Sequence, residues 1–564
     1  MPENAPTAEA APVPTPSHPP AAWRDALLAI VVGLVAFGAV AVTINDVGLT
    51  YDEPVYFQSA GLMRTWLARA FGGGDGIGLG EALDLPTFAP LWRYEVFENR
   101  HPPLCGYLLN LSWLAFHRWL GEVAAYRLSS AILFGVLTAC LYLEARRAWG
   151  RAAGLGAAAA LVLMPRVFGH AHAAATDTPA MTVWFLTYMA FRRTAADDRP
   201  RAPIGRILLF GVLLGLGMLT KFTNWLIVLP LAVWALRFHR RIPWRWVWLA
   251  LPMAGVVAVG LNPAWWRNPF TWPWAFVESS LSRGQGSAIA TWFLGRTYAF
   301  ALPWYNGPVL TLFCTPVITV ALFLVGVIAV VRNRLRTPLG AMAAVTVAFF
   351  WIVRGLPTAP GHDGVRLFLP MFPFLAALAG AGVAWIAAHT RRPALTGGLL
   401  VGLVAAAGVA QVALIHPYHL SFYGEAAGGL GGARRLGLET TYWWDAATDE
   451  FFDLLNDDLP PNAAVFVIPG RPTLAYWQEH GRLRSDIRFV SRPEEFNDIA
   501  FLILLCRQGK FDPVHSAVPR PPRYTAEQVW DWYHRADAQW RVFAPRAGVP
   551  LVIIVHHGPA PLGG

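Results

Sequence analysis

Residues 101–121, HPPLCGYLLNLSWLAFHRWLG, are apolar enough to cross a membrane, and whether they do decides how the whole chain is threaded. The surroundings make a membrane the right solvent to consider. Of 564 residues, 55% are hydrophobic and only 14% charged, against about 25% charged in a typical soluble protein. Apolar stretches of roughly 20 residues, enough to span a bilayer as helix, recur along most of the chain. They do not alternate polar with apolar, as barrel strands would.

The arginine clusters settle the reading of 101–121. If that stretch crosses, EARRAWGR (144–151) falls outside and the later clusters alternate sides badly. If it lies in the interface, every cluster falls on the N-terminal side: 144–151, FRRTAADDRPRAPIGR (191–206), RFHRRIPWRW (237–246), RNRLR (332–336) and HTRRP (389–393). Positive loops stay cytoplasmic, so 102–120 reads as a juxtamembrane helix whose His, Arg and Trp residues suit the headgroup level. Spans are then expected near 26–44, 124–145, 152–169, 178–193, 205–220, 222–238, 245–262, 308–331, 338–354, 366–388 and 394–415, about eleven in all. The expected fold is a polytopic α-helical membrane protein with the N-terminus cytoplasmic.

Three parts are expected. Residues 1–22, rich in Pro and Ala, read as a disordered cytoplasmic tail; they lack a basic n-region, so the first apolar run is retained as a span. Residues 23–415 form the transmembrane part, with 45–123 as an outer loop. From 416 onward the composition changes. AAVFVIPG, IRFVS, AFLILLC and VPLVIIVHH read as strands, and TLAYWQEHGRL and TAEQVWDWYHRADAQW as helices, giving a small extracytoplasmic α/β domain over 416–564.

The net charge of +10 does not indicate nucleic acid, because the arginines sit in loops between apolar runs rather than in a basic stripe. The cysteines, Cys105, Cys140, Cys314 and Cys506, have no ligand spacing and read as small apolar fillers. His170 and His172, spaced i, i+2, lie on different helix faces and do not suggest a metal clamp.

The same threading gathers the unusual ionisable residues on the outer face. Asp52 and Glu53 follow the first span, and Asp177 opens the fourth. Lys221, one of only two lysines with Lys510, lies between two apolar runs. His362, Asp363 and Arg366 precede a late span, where an arginine runs against the positive-inside rule and asks for an anionic partner. Arg100 and His101 precede two prolines at a helix start, consistent with an anion there. Taken alone, each has a plainer reading as a cap, a snorkelling cation or a helix start.

In order, YDEPVY (51–56), RHPPL (100–104), TDTPAM (176–181), TKFTNW (220–225) and HDGVRLFLP (362–370) resemble the GT-C membrane glycosyltransferases of the family 39 type, among them protein O-mannosyltransferases and lipid A aminoarabinose transferases. The segment 416–446, HPYHLSFYGEAAGGLGGARRLGLETTYWWDA, is similar to a stretch in bacterial members; the Gly-rich insert FGGGDGIGLGEALDLP departs from the pattern. The resemblance implies an inverting transfer of a sugar from a polyprenyl-phosphate donor to a lipid, glycan or protein acceptor outside the cytoplasm. It makes Asp52 the base, with Glu53 and Asp177 orienting it or the acceptor. Lys221 and Arg366 take the donor phosphate, with Arg100, His101 and His362 as further candidates. Fixed cations replace a metal, so no cofactor is required. A lipid-linked glycan flippase would instead carry its charges at mid-bilayer or in broken paired helices, and a non-catalytic envelope-assembly protein would be indifferent to Asp52.

Overall fold

The computed structural model describes residues 22–72, 76–98, 101–195, 203–238, 244–282, 289–332, 337–492, 495, 498–511, 526–534 and 541–556. The expected N-terminal tail, up to residue 21, and Arg100 lie outside the described residues.

The chain is a polytopic, integral membrane protein built on helices. Among the described residues, Trp23–Val42, Glu122–Trp149, Arg366–Ala388 and Pro393–Ile415 are each long and apolar enough to cross a membrane. The pair Arg151–Val162 and Pro165–His172, bent by 65°, would make a further span. Shorter apolar helices stand at several other expected positions, including Ile204–Met218, Val317–Val331 and Pro338–Arg354, and the helix Asp177–Ala195 covers the expected 178–193. Three expected spans are interrupted. The 152–169 run bends at Pro165, and the 308–331 run divides into Asn306–Phe313 and Val317–Val331 around Pro316, as a residue without an N–H and with fixed φ dictates. The 222–238 run divides into Phe222–Trp225 and Val228–Phe238. The stretch expected to lie in the interface contains the helix Leu104–Phe116, shorter than a span.

Phe372–Ala388 is the central helix, buried along most of its length. Its glycines allow that. A Cβ at Gly382 would sit 2.1 Å from the Leu322 carbonyl oxygen, and one at Gly380 would sit 2.4 Å from that of Ala153. Small residues are how helices approach closely where no hydrophobic effect drives them together.

The two ends of the bundle differ in charge. Along Glu122–Trp149, Arg127 and Glu144 are separated by roughly 25 Å of helix. At the Glu144 end, Arg147 and Arg192 reach its carboxylate at 3.0 and 2.7 Å, and Asp25 pairs with Arg146 and Arg151. Arginines from two of the basic clusters that set the threading, 144–151 and 191–206, therefore meet at one end. The unusual acids lie at the other.

There the C-terminal part adds a sheet. Besides the hairpin β1 (Thr291–Phe293) and β2 (Arg296–Tyr298), strands β3 (Ala464–Ile468), β4 (Arg488–Phe489), β5 (Phe501–Leu505), β6 (Arg541–Phe543) and β7 (Val552–His556) form one sheet in the order β4-β3-β5-β7-β6. The β3/β4 and β3/β5 pairs are parallel; β5/β7 and β7/β6 are antiparallel. Alternation assigns its faces. Val465, Val467, Ile503 and Ile554 join the core shared with the helices, whereas Phe466, Leu502, Leu504 and Ile553 pack with Val529 and Tyr533 on the far side. Residues 418–447 belong to the same cores as the membrane helices: Tyr418, Tyr423 and Trp444 in the main one, and Leu420, Tyr442 and Trp443 with Tyr56, Cys105 and Ala174 in a second. The composition changes at 416, but the packing does not.

Candidate active site

Arg366 is the hub. It opens a 3₁₀ turn, Arg366–Met371, that leads into the central helix. Its Nη2 donates to Asp52 Oδ2 at 2.7 Å, its Nε to Asp177 Oδ2 at 2.9 Å and its Nη1 to Asp363 Oδ2 at 3.0 Å. Its guanidinium lies 3.7 Å from the centre of the Trp443 ring, a face that attracts a cation. Lys221 Nζ donates to Asp177 Oδ1 at 2.8 Å. Arg507, just beyond β5, donates to Asp363 Oδ1 at 2.7 Å and to the Tyr442 carbonyl at 2.8 Å. Three carboxylates thus meet three cations in one continuous network.

Local structure explains why these groups converge. Asp177 opens the helix Asp177–Ala195. Asp52 stands just before Glu53–Phe71, yet its side chain makes no cap; it turns to Arg366 instead. Asp363 and Gly364 both have left-handed backbones, with φ of 60° and 54°, an uncommon state for a non-glycine residue that needs support from its surroundings. Arg354 supplies it, donating to the carbonyls of Pro360, Gly361, His362 and Gly364. Burial alone would raise the Asp363 carboxyl, but Arg507, with His362 and Arg366, holds it well below the usual carboxylate range. Burial pushes His362 down to about 3 against the pull of Asp363, so its imidazole is neutral at pH 7.

Of the residues singled out in the sequence, Asp52, Asp177, Lys221 and Arg366 come together. His362 sits beside Asp363, its Nε2 3.8 Å from Oδ2. His101 is one shell away, its ring 6.3 Å from that of Tyr56, and it shares with Lys221 the wall of a cleft. Glu53 is not part of the network. It is fully buried and accepts from Arg127 Nε at 2.7 Å, Ala174 N at 2.9 Å and Thr50 N at 2.7 Å. Arg127 is in turn tied to the carbonyls of Ile44, Val47 and Gly48. Arg507 and Trp443 are additions. Trp443 lies in the quoted aromatic segment 416–446, but nothing local to the sequence marked Arg507, which reaches Asp363 from 144 positions away.

The cleft beside Lys221 measures about 350 Å³. Its walls are mainly apolar, with Phe222, Leu226, Phe350 and Leu367 among them, and its ionisable groups are Lys221, His101 and Arg354. An apolar trough with a cation at its head suits an amphiphile with an anionic headgroup.

Residues 100–266 match the family model of dolichyl-phosphate-mannose-protein mannosyltransferases. The chain is 32% identical over 193 residues to the undecaprenyl phosphate-alpha-4-amino-4-deoxy-L-arabinose arabinosyl transferase 1 of Pseudomonas fluorescens (strain Pf0-1), a match spanning 32% of this chain and 33% of that relative. Among solved structures, ArnT from Cupriavidus metallidurans bound to undecaprenyl phosphate is 16% identical with a TM-score of 0.45, covering 95% of this chain and 98% of that one. Mycobacterial arabinofuranosyltransferase AftD is 16% identical with a TM-score of 0.41, covering 95% and 40%. The resemblance drawn from the motifs is supported over the stretch 100–266, which carries His101, Asp177 and Lys221 and is similar to the dolichyl-phosphate-mannose-protein mannosyltransferases.

Proposed function

We propose that this protein is an inverting glycosyltransferase that moves a sugar from a polyprenyl-phosphate donor to an extracytoplasmic acceptor. The observation that carries the reading is the junction of the apolar cleft with the Asp52, Asp177, Lys221 and Arg366 network. The isoprenoid chain lies in the cleft and its phosphate meets Lys221, with His101 as a neighbouring donor. Asp52 is the most exposed acid of the network, its side chain 31% accessible against 2% for Asp177 and 7% for Asp363. It takes the proton of the acceptor hydroxyl as that oxygen attacks the anomeric carbon. The bond from that carbon to the phosphate oxygen breaks, and its electron pair leaves with the lipid phosphate. One displacement inverts the centre. The leaving group needs fixed positive charge rather than an acid or a metal.

Arg366 acts differently from a simple phosphate clamp. Three of its nitrogens are already engaged by carboxylates, so its main role is to hold Asp52 and Asp177 in register. Asp177 in turn positions Lys221. Glu53 holds the helix that presents Asp52.

The meeting of the 144–151 and 191–206 arginines at the far end supports a cytoplasmic side there, with the network on the outer side of the inner membrane. On this reading the chain crosses about eleven times. Residues 23–415 form the transferase body, and 416–564 an outer domain whose first part, to about 447, closes over the network.

The test is the Asp52→Asn variant in a strain lacking the chain, with mass spectrometry of envelope lipids, glycans and glycoproteins. The wild-type chain should restore a glycosylated species that the strain has lost. Removing a positioned base should lower its formation by about 10²–10⁴-fold, with membrane abundance unchanged. Full restoration by the variant would reject the assignment.

A further inference from the structure

A second cleft, of about 130 Å³, is bounded in part by Pro102. Its walls are Phe97, Trp265, Trp272 and Phe276, with Glu95 and Asn262 among them. The aromatic rings are held in place. Trp272 lies 5.8 Å from Phe88, stacked, and 6.1 Å from Phe97, edge-on; Trp265 meets Trp225 edge-on at 6.3 Å. Trp272 and Phe276 stand one turn apart on the helix Thr271–Leu281 and face the same way.

The polar groups are unusual. Asn262 is only 5% exposed, and its Oδ1 has no hydrogen-bond partner among the described residues. Glu95 lies on the π-turn Tyr94–Glu98. One of its oxygens accepts from Ser59, while Oε2 is buried and without a hydrogen-bond partner among the described residues. Burial pushes this carboxyl up to about 7. Two unmet acceptors in a small cleft are costly unless something donates to them.

These features select a ligand. A sulfate offers no donors, and a phosphate dianion carries charge that an ionised Glu95 repels and has no apolar face for the rings. An alkyl chain would suit the rings but leave both acceptors unmet. A pyranose satisfies both requirements, with an apolar ring face for the indoles and hydroxyl donors for the two oxygens. Position adds to this. Glu95 also lines a small pocket with Tyr56, His101 and Thr176. Tyr56 lies one helical turn from Asp52, and Thr176 immediately precedes Asp177. The cleft shares Glu95 and Pro102 with that small pocket, which in turn borders the network.

We propose that the Glu95/Asn262/Trp272 cleft is a carbohydrate-binding subsite that seats a sugar residue of the acceptor. Its role as an acceptor subsite rests on the transfer reading; its affinity for sugar does not.

The experiment uses the full-length protein in a polyoxyethylene detergent, which has no sugar headgroup to compete. Saturation-transfer NMR is recorded with the methyl glycosides of glucose, galactose, mannose and N-acetylglucosamine, and separately with choline, which would fill an aromatic cage as a cation. Undecaprenyl phosphate binding is measured in parallel. At least one glycoside should bind saturably. Trp272→Ala and Asn262→Ala should each weaken it about tenfold, the loss of one ring contact or one hydrogen bond, while undecaprenyl phosphate binds as in the wild type. Absence of any glycoside signal, its persistence in both variants, or saturable binding of choline alone would overturn the proposal. Sugar binding without undecaprenyl phosphate binding would leave the cleft standing and remove the donor reading instead. If Trp272→Ala does not fold, Asn262→Ala decides the outcome, with undecaprenyl phosphate binding reporting its integrity.

Discussion

Asp52 and Glu53 are neighbours in sequence and are turned into two regions with opposite logic. Glu53 enters a closed knot. One arginine, two backbone N–H groups and a threonine hydroxyl saturate its oxygens, and Arg127 spends its remaining donors on three carbonyls. Nothing in that knot is left to meet a substrate. Asp52 enters an open hub, where Arg366 is shared among three acids and the network ends beside a cleft. The type of residue does not separate structural from functional acids here. What separates them is whether the partner set is complete and whether it borders a cavity.

The largest stability effect should come from breaking the knot. Glu53→Gln leaves Arg127 buried, 1% exposed, with no carboxylate partner. Removing one member of a buried pair costs about 3–5 kcal/mol, so denaturant unfolding in detergent should lose about that much. The matching Asp52→Asn change leaves Arg366 with two carboxylates, and the group removed is itself 31% exposed. Its loss should stay below about 1 kcal/mol, although it carries the far larger loss of turnover. Equal destabilisation by the two variants would break the distinction between knot and hub.

A smaller effect sharpens the hub itself. Asp363 has a folded-state pKa below its unfolded value of about 3.9. A group of that kind contributes stability above its unfolded pKa and loses it as pH falls toward the folded value. The melting temperature should therefore drop as pH falls below about 4. In Asp363→Asn this part of the drop should be absent, with about 1–3 kcal/mol already lost at pH 7. An unchanged acid limb in the variant would show that Arg507 and Asp363 are not coupled as the distances indicate.

Much of this arrangement was legible in the sequence, for identifiable reasons. Apolar runs and arginine loops are local signals, so the helix positions, including Leu104–Phe116, and the meeting of two arginine clusters at one end followed from composition. The convergence of Asp52, Asp177, Lys221 and Arg366 followed from assigning each to one end of the bundle. Adjacent acids were harder. Helix phase alone separates Asp52 from Glu53, and at a helix start that phase is set by tertiary contacts. Arg507 was invisible because its partner is 144 residues away and its own surroundings look like an ordinary strand end. The segment 416–446 was conspicuous without being interpretable: Trp443 acquires meaning only when the Arg366 guanidinium is seen 3.7 Å above it. The three-residue strand β6 is too short to carry any periodicity.

The smallest expected effect tests whether geometry alone could account for the contrast. Arg482 donates to Asp449 at 2.7 Å and to Asp453 at 2.8 Å, distances as short as those around Arg127. Here, however, the side chains are 28%, 76% and 63% exposed. Water solvates each ion when the pair opens, and salt screens what attraction remains. Arg482→Ala should therefore shift stability by no more than about 1 kcal/mol, and that shift should shrink further between low and high salt, followed by thermal melting at two ionic strengths. The Glu53→Gln loss should barely respond to salt, because its charges are out of reach of mobile ions. If the surface triad proved as costly to break as the knot, burial would not be the variable that sorts these ion pairs, and the division of acids into closed and open sets would have to rest on cavity access alone.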